Sequence, residues 1–286
     1  MAKTVGFAGM GIMGVPMSLN LMKAGFPVIA YNRTAEKCAP VTAKGAGQAD
    51  TPLELARKSD VLVLMLTGPQ AIDACLFGDD GAAEALEGKV VINMSTVSPA
   101  YSRELAANLE AVGASLVDAP VSGSKKPAED GTLVILAGGD EKTIDDVEPI
   151  LLGMGKKVVH CGPVPCGSMM KMSINLLLGA LCEGLAEMIN FGEKGGLDRK
   201  TMLDVVMSGP MRNALFELKV PMLESGEFPA QFPAKHMAKD LKFVVDTAYE
   251  TGANAPSAHV LLQLYRKAVA MGLGDEDFAA VFKTLS

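Results

Sequence analysis

The stretch "TVGFAGMGIMGVPMSLNLMKAG", Thr4–Gly25, decides the fold. A short apolar run with a β-branched residue leads straight into Gly9, Gly11 and Gly14, and a helical pattern follows from about Met13 to Ala24. Strand, glycine turn and helix in that order form the first unit of a nucleotide-binding sheet. There the first glycine makes the tight turn, the second lets a pyrophosphate touch backbone, and the third packs helix on strand. The positive end of the helix then faces the anion. The spacing predicts Gly9, Met10, Gly11, Ile12, Met13 and Gly14 as a dinucleotide cradle.

Downstream, "PVIAYN", "VLVLML", "KVVINMS", "ASLVDAPV", "TLVILAGG" and "KKVVHCG" alternate with helical patterns. Because these runs are continuously apolar, they read as strands buried on both faces, and the expectation is a parallel, doubly wound α/β sheet. Strand signals stop near Cys161. After "CGPVPCG" every segment reads as helix, so a Rossmann domain is expected over 1–163 and an all-helical domain over 164–286, linked by a long helix.

The end of "PVIAYN" is where an NAD-binding fold places a carboxylate on the ribose 2′-hydroxyl, about 20 residues past the glycines. This chain has Asn32, Arg33 and Thr34 there, with Lys37 a turn later. A carboxylate repels a 2′-phosphate, whereas a guanidinium and a hydroxyl bind one, so NADP is the expected cofactor. A solvated loop arginine is the plain alternative.

The 286 residues carry a net charge of −7 and no basic block, which argues against a nucleic-acid partner. Five cysteines without a CxxC pair fit reduced thiols in the cytoplasm, and the three histidines show no metal-ligand spacing, so no metal is expected.

The stretch "GSMMKMSINLLLGALCEGLAEMINFGEKGGLD", Gly167–Asp198, is a long apolar helix with Lys171 and Asn175 one turn apart near its start. Its uncharged run between Lys171 and Glu183 is 11 residues, short of the roughly 20 that a membrane span needs. Gly167, Lys171, Asn175, Gly179, Glu183 and Glu187 recur every four residues, so lysine and asparagine share a face between small residues. A lysine desolvated by apolar neighbours can donate a proton to a developing alkoxide near neutral pH, with asparagine to orient it. The residues alone leave a snorkelling lysine equally open. Between the two regions, "DAPVSGSKKPAEDGTL" presents Ser122 and Gly123 at a strand's carboxyl end, where open α/β sheets bind ligands and a carboxylate can be held. In "FPAKHMAKDLKF" the lysines Lys235, Lys239 and Lys242 read by pattern as the solvated face of an amphipathic helix.

Taken together, "GFAGMGIMGVPMSLNL", "DAPVSGS", "GSMMKMSIN" and "KHMAKDL", in this order, resemble the β-hydroxyacid dehydrogenase family. Within it, "YNRT" and "PVSGSKKPAEDGTL" look like the glyoxylate/succinic semialdehyde reductase branch rather than the 3-hydroxyisobutyrate dehydrogenases, which carry an aspartate after the second strand and an "SGG" loop. The resemblance implies an active site between the two domains. It further implies Lys171 as proton donor with Asn175 as its partner, Ser122 and Gly123 on the substrate carboxylate, and Thr96 beside the nicotinamide. Leu64, Met65 and Leu66 would contact the cofactor at a strand end. Lys239, fixed in register by Asp240, would reach cofactor and substrate, against the solvated-face reading. The implied reaction is NADPH-dependent reduction of short aldehyde acids, glyoxylate to glycolate and succinic semialdehyde to 4-hydroxybutyrate. An NAD-dependent 3-hydroxy-acid dehydrogenase on the same fold is the rival, and a catalytically silent interaction module the rival of another class. The apolar long helix adds the expectation of a homodimer or homotetramer, with no membrane partner.

Overall fold

A computed structural model describes residues 2–285 of the chain. Its strands are β1 (Val5–Ala8), β2 (Val28–Tyr31), β3 (Gly47–Gln48), β4 (Val61–Leu64), β5 (Val90–Asn93), β6 (Ser115–Asp118), β7 (Val121–Ser122), β8 (Leu133–Gly138) and β9 (Gly155–Gly162). Between them run α1 (Gly14–Lys23), α2 (Ala39–Thr42), α3 (Pro52–Arg57), α4 (Pro69–Phe77), α5 (Pro99–Ala111), α6 (Lys125–Glu129) and α7 (Glu141–Leu152). The helices α8 (Cys166–Lys194), α9 (Arg199–Ser208), α10 (Ala214–Ser225), α11 (Ala234–Thr251) and α12 (Pro256–Ala270) follow, with a 3₁₀ segment at Phe278–Thr284.

The chain divides into two compact units, Met1–Lys171 and Met172–Ser286. This division lies inside α8, later than the boundary expected at 163/164, because the first turns of the helix are held by the strands of the first unit. In that unit one sheet runs β3-β2-β1-β4-β5-β6-β8-β7, with β9 on β8. Consecutive residues of the central strands go to opposite cores. Val61 and Val63 join Phe7, Met17 and Ile144 on one face, while Leu62 and Leu64 join Leu55, Ile72 and Leu105 on the other. That two-sided burial is why the strands are apolar without alternation.

One expectation changes. From β3 to β6 the sheet is parallel, but β8 runs antiparallel to β6 and β7, so the sheet is mixed. A parallel return needs a crossover of about a dozen residues, usually a full helix. The link from β7 to β8 carries only the five-residue α6, and the chain turns back instead.

The second unit is all helical around Leu185, Ala186, Ile189, Leu203, Leu223, Met237, Leu241 and Tyr265. By length and mean hydropathy, 1.4 over its most apolar window, α8 is long enough to cross a membrane. Its uncharged run is thus a weaker objection to a span than its packing. Leu185, Ala186 and Ile189 are core residues, and Asn175 is fully buried in a hydrogen bond to α11.

Candidate active site

The chain reverses direction across the sheet between β1 and β4, the switch point at which open α/β sheets bind ligands. Gly9 leaves β1 there with φ +110°, and its position lies against the Met65 carbonyl at the end of β4. A side chain at Gly14 would overlap the Gly9 carbonyl, so this close approach of helix to turn requires glycine. At Gly11, by contrast, a Cβ would meet nothing within 4 Å. Two glycines are packed and the middle one opens onto free space, which is the cradle a pyrophosphate needs; Ile12, 50% exposed, lines the same turn with Met10 and Met13.

Asn32 joins the two segments expected at the cofactor. Its Oδ1 accepts the Met10 N–H at 3.0 Å and its Nδ2 donates to the Thr34 carbonyl at 2.9 Å, so it ties the glycine turn to the loop after β2. Arg33, Thr34 and Lys37 are exposed on that loop. The end of β4 is tied similarly, since the Ser95 hydroxyl accepts the Leu66 N–H at 2.9 Å. Leu64 is fully buried in the sheet, while Met65, Leu66 and Thr96 are half-buried beyond the strand ends.

On α8, Lys171 is 9% exposed and its Nζ donates to the Val121 carbonyl at 2.7 Å. The β7–β8 ladder explains why that carbonyl is available. Leu136 N–H bonds the Pro120 carbonyl, which makes Pro120 and Ser122 the positions that face β8 and turns Val121 outward. Ser122 N–H therefore belongs to the sheet, and its side chain stands half-buried at the strand end. Gly123 follows with φ +132°, a conformation L side chains avoid. Lys171 and the strand that leads into Ser122 and Gly123, read separately in the sequence, are thus bonded to each other.

One turn after Lys171, Asn175 donates Nδ2 to Asp240 Oδ2 at 2.7 Å, and Lys239 pairs with Asp240 Oδ1 at 3.0 Å. Asp240 is 1% exposed, and the Lys239 ammonium lies 4.8 Å from the centre of the Phe243 ring. Asn175, Asp240 and Lys239 form one polar chain across α8 and α11. Among the described residues the buried Asn175 Oδ1 has no hydrogen-bond partner.

Sequence reading passed over Asp118. It is fully buried at the end of β6, its Oδ2 accepting the Ser168 N–H and its Oδ1 the Ser168 hydroxyl, each at 2.7 Å. Burial pushes its carboxyl above the usual carboxylate range, against the lowering effect of the bonds from Ser168. No group of three or more histidine, cysteine or acidic side chains among the described residues has a metal-binding arrangement.

Residues 4–162 match the NAD-binding domain of 6-phosphogluconate dehydrogenase, and residues 166–285 match the NAD-binding domain of NADP-dependent 3-hydroxyisobutyrate dehydrogenase. The glyoxylate/succinic semialdehyde reductase 1 of Arabidopsis thaliana is 37% identical over 98% of this chain and 98% of its own length. The chain belongs to the β-hydroxyacid dehydrogenase family, in its glyoxylate/succinic semialdehyde reductase branch. Among solved structures, the 3-hydroxyisobutyrate dehydrogenase of Mycobacterium tuberculosis with L-serine superposes with a TM-score of 0.89 at 31% identity, covering 100% of this chain and 99% of that one. Psf3 in complex with NADP+ and 2-OPP gives a TM-score of 0.89 at 26% identity over 99% of this chain and 100% of its own. This β-hydroxyacid dehydrogenase is therefore an oxidoreductase acting on CH–OH groups with a nicotinamide dinucleotide, for which the open glycine cradle is the fitting site.

Proposed function

We propose that the protein is an NADPH-dependent reductase of short aldehyde acids, converting glyoxylate to glycolate and succinic semialdehyde to 4-hydroxybutyrate. The observation that carries this reading is the buried Lys171 held on the loop that leads into Ser122 and Gly123. One ammonium is thereby kept beside the group that would hold the substrate carboxylate. A dihydronicotinamide, when held on the Gly9–Gly14 turn, would supply hydride for the aldehyde carbon. Lys171 donates a proton to the carbonyl oxygen as negative charge develops there, and Asn175 orients that oxygen. The Ser122 hydroxyl and the Gly123 backbone hold the carboxylate, while Lys239, kept in place by Asp240, serves the cofactor and substrate. A panel of glyoxylate, succinic semialdehyde, tartronate semialdehyde and 3-hydroxyisobutyrate with both cofactors tests the reading. A higher kcat/KM for oxidation of 3-hydroxyisobutyrate with NAD than for either reduction would reject it.

The NADPH preference rests on Arg33, Thr34 and Lys37, exposed after β2, with Asn32 rather than a carboxylate at the end of that strand. Arg33→Ala removes a charge-assisted bond to the 2′-phosphate, and bonds of that kind contribute about 1.5–3 kcal/mol. The expected result is a KM for NADPH raised about tenfold or more with the KM for NADH unchanged. Equal effects on both cofactors would show that Arg33 does not read the 2′-phosphate.

The same reading includes a homo-oligomer in the cytoplasm. Met170, Ile174, Leu177 and Leu181 are each at least 36% exposed and spaced four and three residues apart along α8, with Phe191 82% exposed farther along the same helix. This is the seam a second helix of the same kind would cover. All five cysteines are unpaired, as suits a reducing compartment.

A further inference from the structure

At the start of α8 the Cys166 N–H bonds the Pro163 carbonyl at 2.8 Å, but the preceding residues supply no side-chain cap. The residues before it are Pro163, Val164 and Pro165, none of which carries a side-chain acceptor, whereas helices normally take such an acceptor from the residue that precedes them. Asp118, fifty residues upstream, fills that place. Its carboxylate accepts the backbone N–H of Ser168, the third residue of the helix, together with the Ser168 hydroxyl. A negative charge at this end also meets the positive pole of the helix.

The seat is close. A Cβ at Gly167 would overlap the carbonyls of Asp118 and Leu136, and one at Gly138 would come within 2.6 Å of the Gly167 nitrogen. The first turn of α8 therefore rests directly on the ends of β6 and β8, with two glycines allowing the approach. Three residues after Asp118 comes Val121, and three residues after Ser168 comes Lys171. These second members are bonded to each other at 2.7 Å, so two cross-links join the same loop to the same side of the helix.

We propose that Asp118 is a positioning residue for the reaction: by capping α8 at Ser168 it fixes where the Lys171 ammonium stands relative to the Ser122–Gly123 loop. The proposal rests on Lys171 being the proton donor. Asp118 itself does not touch substrate, because both of its oxygens are committed to Ser168 and it is fully buried. Its effect is on the geometry of proton transfer, where a displacement of about 1 Å can cost about a hundredfold in rate. The cofactor turn hangs from β1 and β4, two strands that the cap does not touch directly.

The test is a cycle. Asp118→Ala is expected to lower kcat for glyoxylate by about a hundredfold, with the dissociation constant for NADPH, read from its fluorescence, unchanged. Asp118→Asn, which keeps one acceptor, should recover part of that loss. In a Lys171→Ala background, Asp118→Ala should leave the residual rate within about twofold, because neighbours acting as one unit are not additive. Equal losses in both backgrounds, or an unaltered kcat in the Asp118→Ala variant, would overturn the proposal. If Asp118→Ala does not fold, Ser168→Ala and Ser168→Thr serve instead: the first removes the hydroxyl bond and should lower kcat, the second retains it and should not, and equal kcat for the two would overturn the proposal. Failure of the proton-donor reading shows elsewhere, as Lys171→Ala alone keeping most of the activity.

Discussion

Lys171→Ala is expected to lower kcat by about 10²- to 10⁴-fold, the range that a positioned general acid contributes. The fall should appear equally in kcat/KM, since a proton passed to a developing alkoxide is an interaction made in the transition state and not before. NADPH should bind the variant as it binds the parent, because the cradle at Gly9, Gly11 and Gly14 belongs to β1 and α1. Lys171→Arg is expected to fail as a replacement. A guanidinium is larger, planar and does not release its proton in a protein, and the site is 9% exposed with the Val121 carbonyl 2.7 Å away, so there is little room to accommodate it. Stopped-flow measurement of NADPH oxidation separates the proton step from product release. A Lys171→Ala variant retaining more than about a tenth of the parent rate falls outside the range for a general acid and would assign the proton to another group.

What could be read in the sequence was whatever is local. The glycine turn, the strand runs and the placement of Lys171 and Asn175 on one helix follow from spacing and periodicity within a few residues, and each stands where those signals put it. Strand direction is not local. "TLVILAGG" has the same apolar run whether it lies parallel or antiparallel, and the reversal at β8 depends on the shortness of α6. The two-residue strands β3 and β7 are too short for any periodicity to show. Asp118 escaped notice because its partner Ser168 lies 50 residues away and nothing around either residue marks the bond. Asn32 sits where a cofactor contact is expected, and that its side chain joins two loops is something only the fold around Met10 and Thr34 can reveal.

The same dependence on distant partners governs the stability of the helical unit, where Asp277→Ala is expected to cost about 3–5 kcal/mol, the usual consequence of removing one member of a buried ion pair. Asp277 is fully buried and pairs with Lys219, 3% exposed, at 2.8 Å. The carboxylate also accepts the N–H groups of Gln231 at 3.0 Å, Phe232 at 3.1 Å and Ala279 at 3.1 Å. Losing it leaves three backbone donors without their acceptor and a buried ammonium with no counter-charge, only the neutral Gln231 Oε1 at 3.3 Å. Lys219→Met should cost less, because Asp277 would retain those three N–H donors and the apolar stem would still cover the Phe278 ring, whose centre lies 4.8 Å from the ammonium. Cys182 offers a local probe of this core. Its thiol is 3% exposed, and burial pushes its pKa up to about 12, so it reacts only when the helices open. Cys75, likewise raised to about 12 by burial, reports on the sheet unit. Mass-resolved thiol labelling of Asp277→Ala should show Cys182 reacting at least about a hundredfold faster than in the parent, the ratio that corresponds to about 3 kcal/mol. The Cys75 rate should stay as it was. Were both thiols to accelerate together, the ion pair would be supporting the whole chain and not the helical unit alone; were neither to change, the buried pair would contribute nothing, contrary to the desolvation argument on which the prediction stands.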